Sequence, residues 1–422
     1  MKAAVIFDNC GPYHLARLRA AARVCDLTAV QICPRSAEYA WENKGEPADF
    51  KLVTLFQENA SREIRRRELV RKANGVLDAC RPQVVFIPGW SSRAAFAALL
   101  WCVQKNVPAV AMSESTEWDE ARSGWKEWIK RKLVGLCAAA LVGGNPHKDY
   151  MVKLGMPPER IFSGYDAVDN AYFAAGAAKW QKLKTEILKA ETAKLEVGSL
   201  PSSIFHLPSS RFFLASARFI EKKNLPRLLQ AYARYREIAE KVDGGRRKAE
   251  IWHLILLGDG ALRPVLNLQL SSLGLQPFVH LPGFKQYPDL PAYYGLANAF
   301  IHASTTEPWG LVVNEAMASG LPVLVSNRCG CAADLVREGV NGFTFDPRNV
   351  EEIAQKMFQL SAFQPFKLSA FADASLEIIS DWGTNRFAGG FKQAADCALQ
   401  NGAAKASLVQ KCFLKMLIGM KS

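Results

Sequence analysis

Two glutamates with seven residues between them, Glu307 and Glu315 in Glu307-Pro-Trp-Gly-Leu-Val-Val-Asn-Glu315, are the strongest chemical signal in the chain. Gly310 lets the backbone approach a ligand. The N–H groups of Leu311, Val312 and Val313, at the start of the helix expected there, make a ready phosphate site. Glu307 lies before that helix and Glu315 about a turn and a half into it, so the two carboxylates can flank one pocket. A carboxylate repels phosphate and is better suited to accept hydrogen bonds from sugar hydroxyls. The set suits a sugar joined to a nucleotide.

These residues need a strand, a loop and a helix to hold them. Residues 300–303 read as a strand, 304–306 as a polar turn, and the helix starts near Gly310 or Leu311. Gly320, followed by Leu321-Pro322, stops the helix, and 323–326 reads as the next buried parallel strand. The result is a βαβ unit whose loop sits at the carboxyl end of a strand, where open α/β sheets bind ligands.

The setting Ser-x-x-Glu-Pro-Trp-Gly-Leu-x-x-x-Glu-Ala-x-Ala-x-Gly-x-Pro-Val resembles the retaining glycosyltransferases of family four, which have the GT-B fold. The resemblance covers most of residues 211–384 strongly and 1–173 more loosely. It implies that Glu307 holds hydroxyls of the donor sugar and Glu315 the ribose. It also implies that Arg218 and Lys223, in Ala217-Arg-Phe-Ile-Glu-Lys-Lys-Asn224, bind the donor diphosphate. The physics agrees, because a departing nucleoside diphosphate gathers negative charge that two fixed cations and a helix start stabilise without reorganisation. By the same resemblance the backbone at Gly283, Phe284 and Lys285 reads the base, which leaves UDP, GDP and ADP donors open. Cys329-Gly-Cys-Ala-Ala-Asp334 stands where many relatives have a double glycine and a glutamate; only Gly330 and Asp334 keep the type.

The first strand, 2–7, leads into the loop Asp8-Asn-Cys-Gly-Pro-Tyr-His14, which carries a single glycine, Gly11, where the family is richer. His14 and Arg17 point toward a second strand-end crevice and, with Gly11, are candidates for the acceptor or the reaction centre. Many relatives carry a histidine where this chain has Ser113-Glu114. Glu114, with Glu117 and Asp119, reads either as an acceptor-binding carboxylate or as a helix N-terminal charge favoured by the dipole.

Further strands are expected over 28–33, 51–55, 83–87, 107–112, 138–142, 212–216, 250–257, 278–284 and 341–345, alternating with helices. That alternation argues doubly wound parallel sheets. The expected architecture is therefore α/β of GT-B type, two Rossmann-like domains facing across a deep cleft. Its parts are an acceptor-binding domain over 1–173, a linker with a charged helix over 174–210, a nucleotide-sugar-binding domain over 211–384, and a closing helix with a basic amphipathic tail over 385–422.

With 422 residues, 49% apolar and 22% charged, the chain can bury two or three ordinary cores. The first residues are too short an apolar run for a signal peptide, and no stretch offers roughly 18 uninterrupted apolar residues for a membrane span. Ten scattered cysteines suit reduced thiols in a cytosol. Cys329-Gly-Cys331 lacks a second ligand pair at metal spacing and reads as a phosphate-side loop.

The net charge of +13 calls for an anionic partner. No nucleic-acid module is recognisable, so nucleic acid is not expected. An anionic membrane surface is the rival to an anionic substrate, because basic and apolar residues cluster in three places. One is the arginine-rich helix after Ser61. Another is the stripe Trp125, Trp128, Ile129, Leu133 and Leu136, with Lys126, Lys130 and Arg131 beside it, which is expected to pack on the sheet. The third is the tail from Ala403, in which Leu408, Val409, Phe413, Leu414, Leu417 and Ile418 alternate with lysines.

The expected function is a retaining hexosyltransferase that moves sugar from a nucleotide-diphosphate donor to a hydroxyl of a glycan or lipid-linked glycan. The setting is the biosynthesis of cell-surface polysaccharide or glycoconjugate. No Asp-x-Asp motif appears, so neither metal nor other cofactor is expected. The expected location is cytoplasmic, peripheral on the cytoplasmic face of the membrane. The rivals are a GT-B epimerase or phosphorylase-like enzyme and a non-catalytic membrane-associated assembly factor that keeps the fold.

Overall fold

Unalternating runs of Ala, Val, Ile and Leu need cover on both faces, and each run expected as a strand is one in the computed structural model. The structure describes residues 1–34, 49–57, 65–90, 92–192, 211–241 and 250–420. The chain first forms β1 (Lys2–Phe7), α1 (Pro12–Ala22), β2 (Asp26–Gln31), β3 (Lys51–Thr54), α2 (Arg66–Cys80), β4 (Val84–Pro88) and α3 (Arg93–Lys105). It continues with β5 (Ala109–Ser113), α4 (Gly124–Val134), β6 (Ala139–Val142), α5 (Asn145–Lys153) and β7 (Ile161–Ser163).

Next come α6 (Asn170–Thr192), β8 (Phe212–Ser216), α7 (Leu225–Lys241), β9 (His253–Leu257), α8 (Arg263–Ser272), β10 (Val279–Gly283), α9 (Leu290–Leu296) and β11 (Ala299–His302). They are followed by α10 (Leu311–Ala318), β12 (Val323–Ser326), α11 (Ala332–Leu335), β13 (Gly342–Phe345), α12 (Val350–Ser361) and α13 (Pro365–Ser380). Two helices, α14 (Thr384–Asn401) and α15 (Leu408–Met420), end the chain.

The chain divides into two units, one of Met1–Asp169 with Trp382–Ser422, the other of Asn170–Asp381. The first holds a seven-stranded sheet in the order β3-β2-β1-β4-β5-β6-β7, the second a six-stranded sheet in the order β10-β9-β8-β11-β12-β13. Neighbouring strands in both run parallel, as in β1 with β4 and β8 with β11. The order reverses direction between β1 and β4 and again between β8 and β11. A reversal splays the loops that leave the two strands and opens a crevice at their carboxyl ends. The loops carrying Arg218, Lys223 and Glu307 leave β8 and β11, and α1, which carries His14 and Arg17, follows β1.

Each sheet is covered on both faces. In the first unit Phe387 and Phe391 of α14 pack with Leu18 of α1 and with Phe86 on one face; Phe86 and Phe391 stack with centroids 3.6 Å apart. The other face is covered by α2, α3 and α15, through Leu69, Leu77, Leu99, Leu414 and Ile418. In the second unit α7 and α12 cover one face through Tyr232, Leu228, Ile353 and Met357.

Three boundaries differ from expectation. The helix assigned to a linker over 174–210 starts at Asn170 and belongs to the second unit, where Ala177 meets Gly295 of α9 closely enough that a Cβ on Gly295 would lie 2.7 Å from the Ala177 carbonyl oxygen. The rest of that linker, 193–210, lies outside the described residues. The second unit ends at Asp381, before the expected 384, and the first at Asp169, before the expected 173. β7 was not anticipated, because three residues are too short to show a period.

The stripe on α4 is also displaced. Trp125 and Trp128 are 64% and 53% exposed, while Lys130, expected beside the stripe, is buried. Its ammonium bonds to Glu120 at 2.8 Å, Glu127 at 3.3 Å and the Tyr150 hydroxyl at 3.1 Å, which satisfies a charge that burial would otherwise penalise. The expected helix start at 114–119 is an irregular loop in which Asp119 pairs with Arg122 and Glu117 with Lys153.

Candidate active site

In the second unit the site starts with Glu307. Its backbone bridges the loop after β12, accepting from Gly330 N at 3.1 Å and donating to the Arg328 carbonyl at 3.2 Å. This fixes the carboxyl group, which forms an ion pair with Lys223 and accepts from the Ser304 hydroxyl at 3.1 Å. His302 Nε2 lies 3.3 Å from the same oxygen and 3.1 Å from Ser304 Oγ. Burial pushes the Glu307 carboxyl up, but the Lys223 ammonium and the His302 contact more than offset it and hold the group far below the usual carboxylate range. Burial lowers the His302 pKa, so the ring is neutral at neutral pH and donates Nε2–H to the carboxylate.

Lys223 is held from two sides. It ends a short turn, Glu221–Lys223, and the next residue, Asn224, takes a left-handed backbone with φ of 59°. The Asn224 amide donates to the carbonyls of Ala303 at 3.0 Å and Pro347 at 2.7 Å, tying the turn to the ends of β11 and β13. The Lys222 carbonyl accepts from Thr305 N at 2.9 Å. Arg218 lies five residues before Lys223 in the same loop, and Gly258 supports that loop: at φ of 135° a Cβ there would collide with the Ala217 carbonyl. The Gly258-Asp-Gly260 turn, unspecific in sequence, is thus the seat of the Arg218 loop.

Gly310 precedes α10 with φ of 106° and ψ of 60°, a conformation that costs any other residue strain. An ideal Cβ there would sit 3.6 Å from Glu307 Cγ and 3.4 Å from Cys331 Sγ, which puts the helix start next to the Glu307 cluster. Val313 N–H turns back to the Gly310 carbonyl at 2.8 Å, and the amides of Leu311 and Val312 come ahead of it at the half-buried mouth of the helix. Glu315 lies on another side of α10. It is fully buried and accepts from the Tyr294 hydroxyl of α9 at 2.6 Å. Gly283 ends β10, the exposed Phe284 follows it, and Lys285 lies 5.9 Å from the Tyr293 ring.

The first unit has its own cluster at the ends of β1 and β5. Arg17 is buried on α1, donates to the Tyr165 carbonyl at 2.7 Å and lies 3.9 Å from the buried Asp166. Burial, and then the charge of the Glu114 carboxyl, push Asp166 well above its ordinary range, with Arg17 opposing. His14 packs edge-on to Phe7 with centroids 4.6 Å apart. Burial and then Arg17 lower its pKa to about 3, so it is neutral. Gly11 precedes α1 with extended backbone.

The structure therefore brings Lys223, Glu307 and Gly310 together, and separately His14, Arg17 and Glu114. Sequence reasoning missed His302, Ser304, Tyr294, Asn224 and Asp166. Only His302 and Ser304 carried a local signal, a histidine and a serine at the end of an apolar strand next to Glu307.

Residues 203–368 match the model of the group 1 glycosyl transferases. This part of the chain is similar to that family. The matched stretch contains every element of the Lys223–Glu307 cluster. Over 107 residues the chain is 34% identical to alpha-monoglucosyldiacylglycerol synthase of Acholeplasma laidlawii, covering 25% of this chain and 26% of that one. Over 143 residues it is 29% identical to the lipopolysaccharide core biosynthesis glycosyltransferase LpsE of Rhizobium meliloti, covering 34% and 37%. The matches thus span about a quarter to a third of these relatives' lengths. The fold matches Anabaena HepE, solved in complex with UDP-glucose, with a TM-score of 0.68 and 17% identity over 94% of this chain and 98% of that one.

Proposed function

We propose that the protein is a glycosyltransferase that moves a sugar from a nucleoside-diphosphate donor to a hydroxyl of a glycan or lipid-linked glycan. The observation that carries this reading is the Lys223–Glu307–His302–Ser304 cluster beside the left-handed Gly310 that opens α10, at the reversal point of a group 1 glycosyl transferase domain. The relatives named above, one a glycolipid synthase and one a lipopolysaccharide core enzyme, support an acceptor on a lipid and a role in glycoconjugate biosynthesis. The HepE complex makes UDP-glucose the first donor to try.

In this reading the diphosphate binds at Arg218, Lys223 and the amides of Leu311 and Val312. A phosphate reaching Lys223 draws the ammonium away from Glu307 and frees that carboxylate for a sugar hydroxyl. Glu315 positions the ribose, and the backbone at Gly283 and Phe284 lies along the base. Bond breaking leaves charge on the diphosphate, which the cations and helix start stabilise. The departing phosphate takes the acceptor proton on the same face, so configuration is retained. The fixed cations do the work a metal would do, and turnover in chelator should equal turnover with magnesium. His14, Arg17 and Glu114 of the first unit serve the acceptor side. Among the described residues no helix is long and apolar enough to cross a membrane, and the proposed location is peripheral on the cytoplasmic face.

A thermal-shift screen against UDP-, GDP- and ADP-sugars tests the reading, since a ligand of the folded state raises the melting temperature by mass action. One donor should shift it, and Arg218→Ala should abolish the shift and slow transfer about a hundredfold, a loss of about 3 kcal/mol. Glu315→Ala should weaken donor binding in calorimetry. No shift with any donor overturns the proposal.

A further inference from the structure

We infer that α4 and α15 together form a docking face for an anionic lipid bilayer. The two helices are far apart in sequence but meet where Trp128 packs edge-on to Phe413, centroids 5.5 Å apart. Trp125 and Trp128 stand one helical turn apart on α4, and Val409, Phe413 and Met416 follow helical spacing on α15. Trp125, Trp128, Val409 and Met416 are half exposed or more, and Leu408, beside Val409, is 80% exposed. The opposite side of α15 is already used: Leu414, Leu417 and Ile418 are buried in the core against α3. The tail is therefore a packed helix with a second apolar face turned to solvent.

The charges decide what covers that face. Lys126, Arg131 and Lys132 are exposed on α4 and Lys415 on α15, with the Lys132 ammonium 5.6 Å from the Trp128 ring. Arg66, at the start of α2, donates to the Lys415 carbonyl at 2.9 Å and adds its charge to the same region. Leu408–Met420 contains no acidic residue, and the single one in Gly124–Val134, Glu127, is turned inward to Tyr150 and Lys130. A second copy of this basic face would meet it with like charge. Headgroups of negative charge over a hydrocarbon boundary match both the lysines and the tryptophans, which favour that boundary. The inference rests on the reading above only in that a peripheral enzyme acting on a lipid-linked acceptor needs such a surface, and no donor chemistry enters it.

The test is sedimentation of the full chain with phosphatidylcholine vesicles, with and without phosphatidylglycerol, at low and high salt. Binding should need the anionic lipid, fall with salt, and be accompanied by a blue shift of tryptophan emission. Trp125→Ser with Trp128→Ser should weaken it about tenfold or more, and Lys126→Glu with Lys132→Glu by a comparable factor, near fivefold per basic charge removed before counting the added acid. Both pairs alter exposed side chains, so circular dichroism and the donor-induced thermal shift should match the parent chain. Deleting the tail is the wrong variant, because it strips Leu414, Leu417 and Ile418 from the core. Equal pelleting of parent and variants on anionic vesicles overturns the inference. So does a concentration-dependent dimer that the tryptophan pair abolishes while no vesicles are bound. Vesicle binding that survives a failed donor screen supports the face and counts only against the transfer reading.

Discussion

The two units hold matching clusters at the ends of their strands, and the clusters settle their charge in opposite ways. In the second, one lysine meets one carboxylate: Lys223 pairs with Glu307, which stays ionised despite burial. In the first, the cation is opposed by a second carboxyl: Arg17 is 3.9 Å from Asp166, which burial and the Glu114 charge push toward its protonated form. Burial is severe at both, so what differs is the count of cations per carboxyl. A matched pair keeps its carboxylate charged in spite of burial, whereas a carboxyl beside a second carboxyl is driven toward its protonated form.

The largest effect expected is from Lys223→Ala. Donor affinity or turnover should fall about a hundredfold, and unfolding in denaturant should show about 3 kcal/mol lost, because Glu307 is left charged and largely buried. Adding Glu307→Gln to that variant should restore most of the stability and none of the donor binding. A single variant as stable as the parent would show that the pair does not hold Glu307, and the comparison with Arg17 would fail.

Acid titration separates the clusters next. The folded pKa of Glu307 lies below its unfolded value of 4.5, so its contribution is complete above that value and fades as pH falls further. The stability gap between the parent and Glu307→Gln should narrow below about pH 4.5, by on the order of 2 kcal/mol. A gap constant down to pH 3 would mean the carboxylate is not specially stabilised.

Asp166 should behave with the opposite sign. Its folded pKa lies above the ordinary 3.8, so its contribution is complete at low pH and is lost as pH rises through the folded value. Asp166→Asn should therefore gain on the parent chain as pH rises above about 4, in thermal or denaturant unfolding. A loss that grows with pH would show that Arg17 keeps Asp166 ionised and that the two clusters are alike.

How much of this was legible depends on range. β1, β8 and β12 were read to the residue because their apolar runs end in glycine, proline or polar residues that break the pattern. The inward face of α4 was not, because a helical stripe can be rotated by one position without losing its period. Here Lys130 is buried with its ammonium satisfied by Glu120, Glu127 and Tyr150, while Trp128 stays exposed. Glu307 and Lys223 were each legible as candidates from type and spacing, but their pairing was not, since 84 positions separate them. Tyr294 carried no signal, being one of two adjacent tyrosines in a helix with no charged residue to mark it.

By itself the sequence determined the alternation of strands and helices, the loops at strand ends, and a glycine before the helix that follows Glu307. These depend on backbone preferences and apolar periods that act over a few residues. Tertiary structure alone decided which carboxyl receives a cation, which is pushed toward its protonated form, and that two distant helices present one basic, tryptophan-bearing face. Those outcomes depend on distance and desolvation in space, which chain order does not encode.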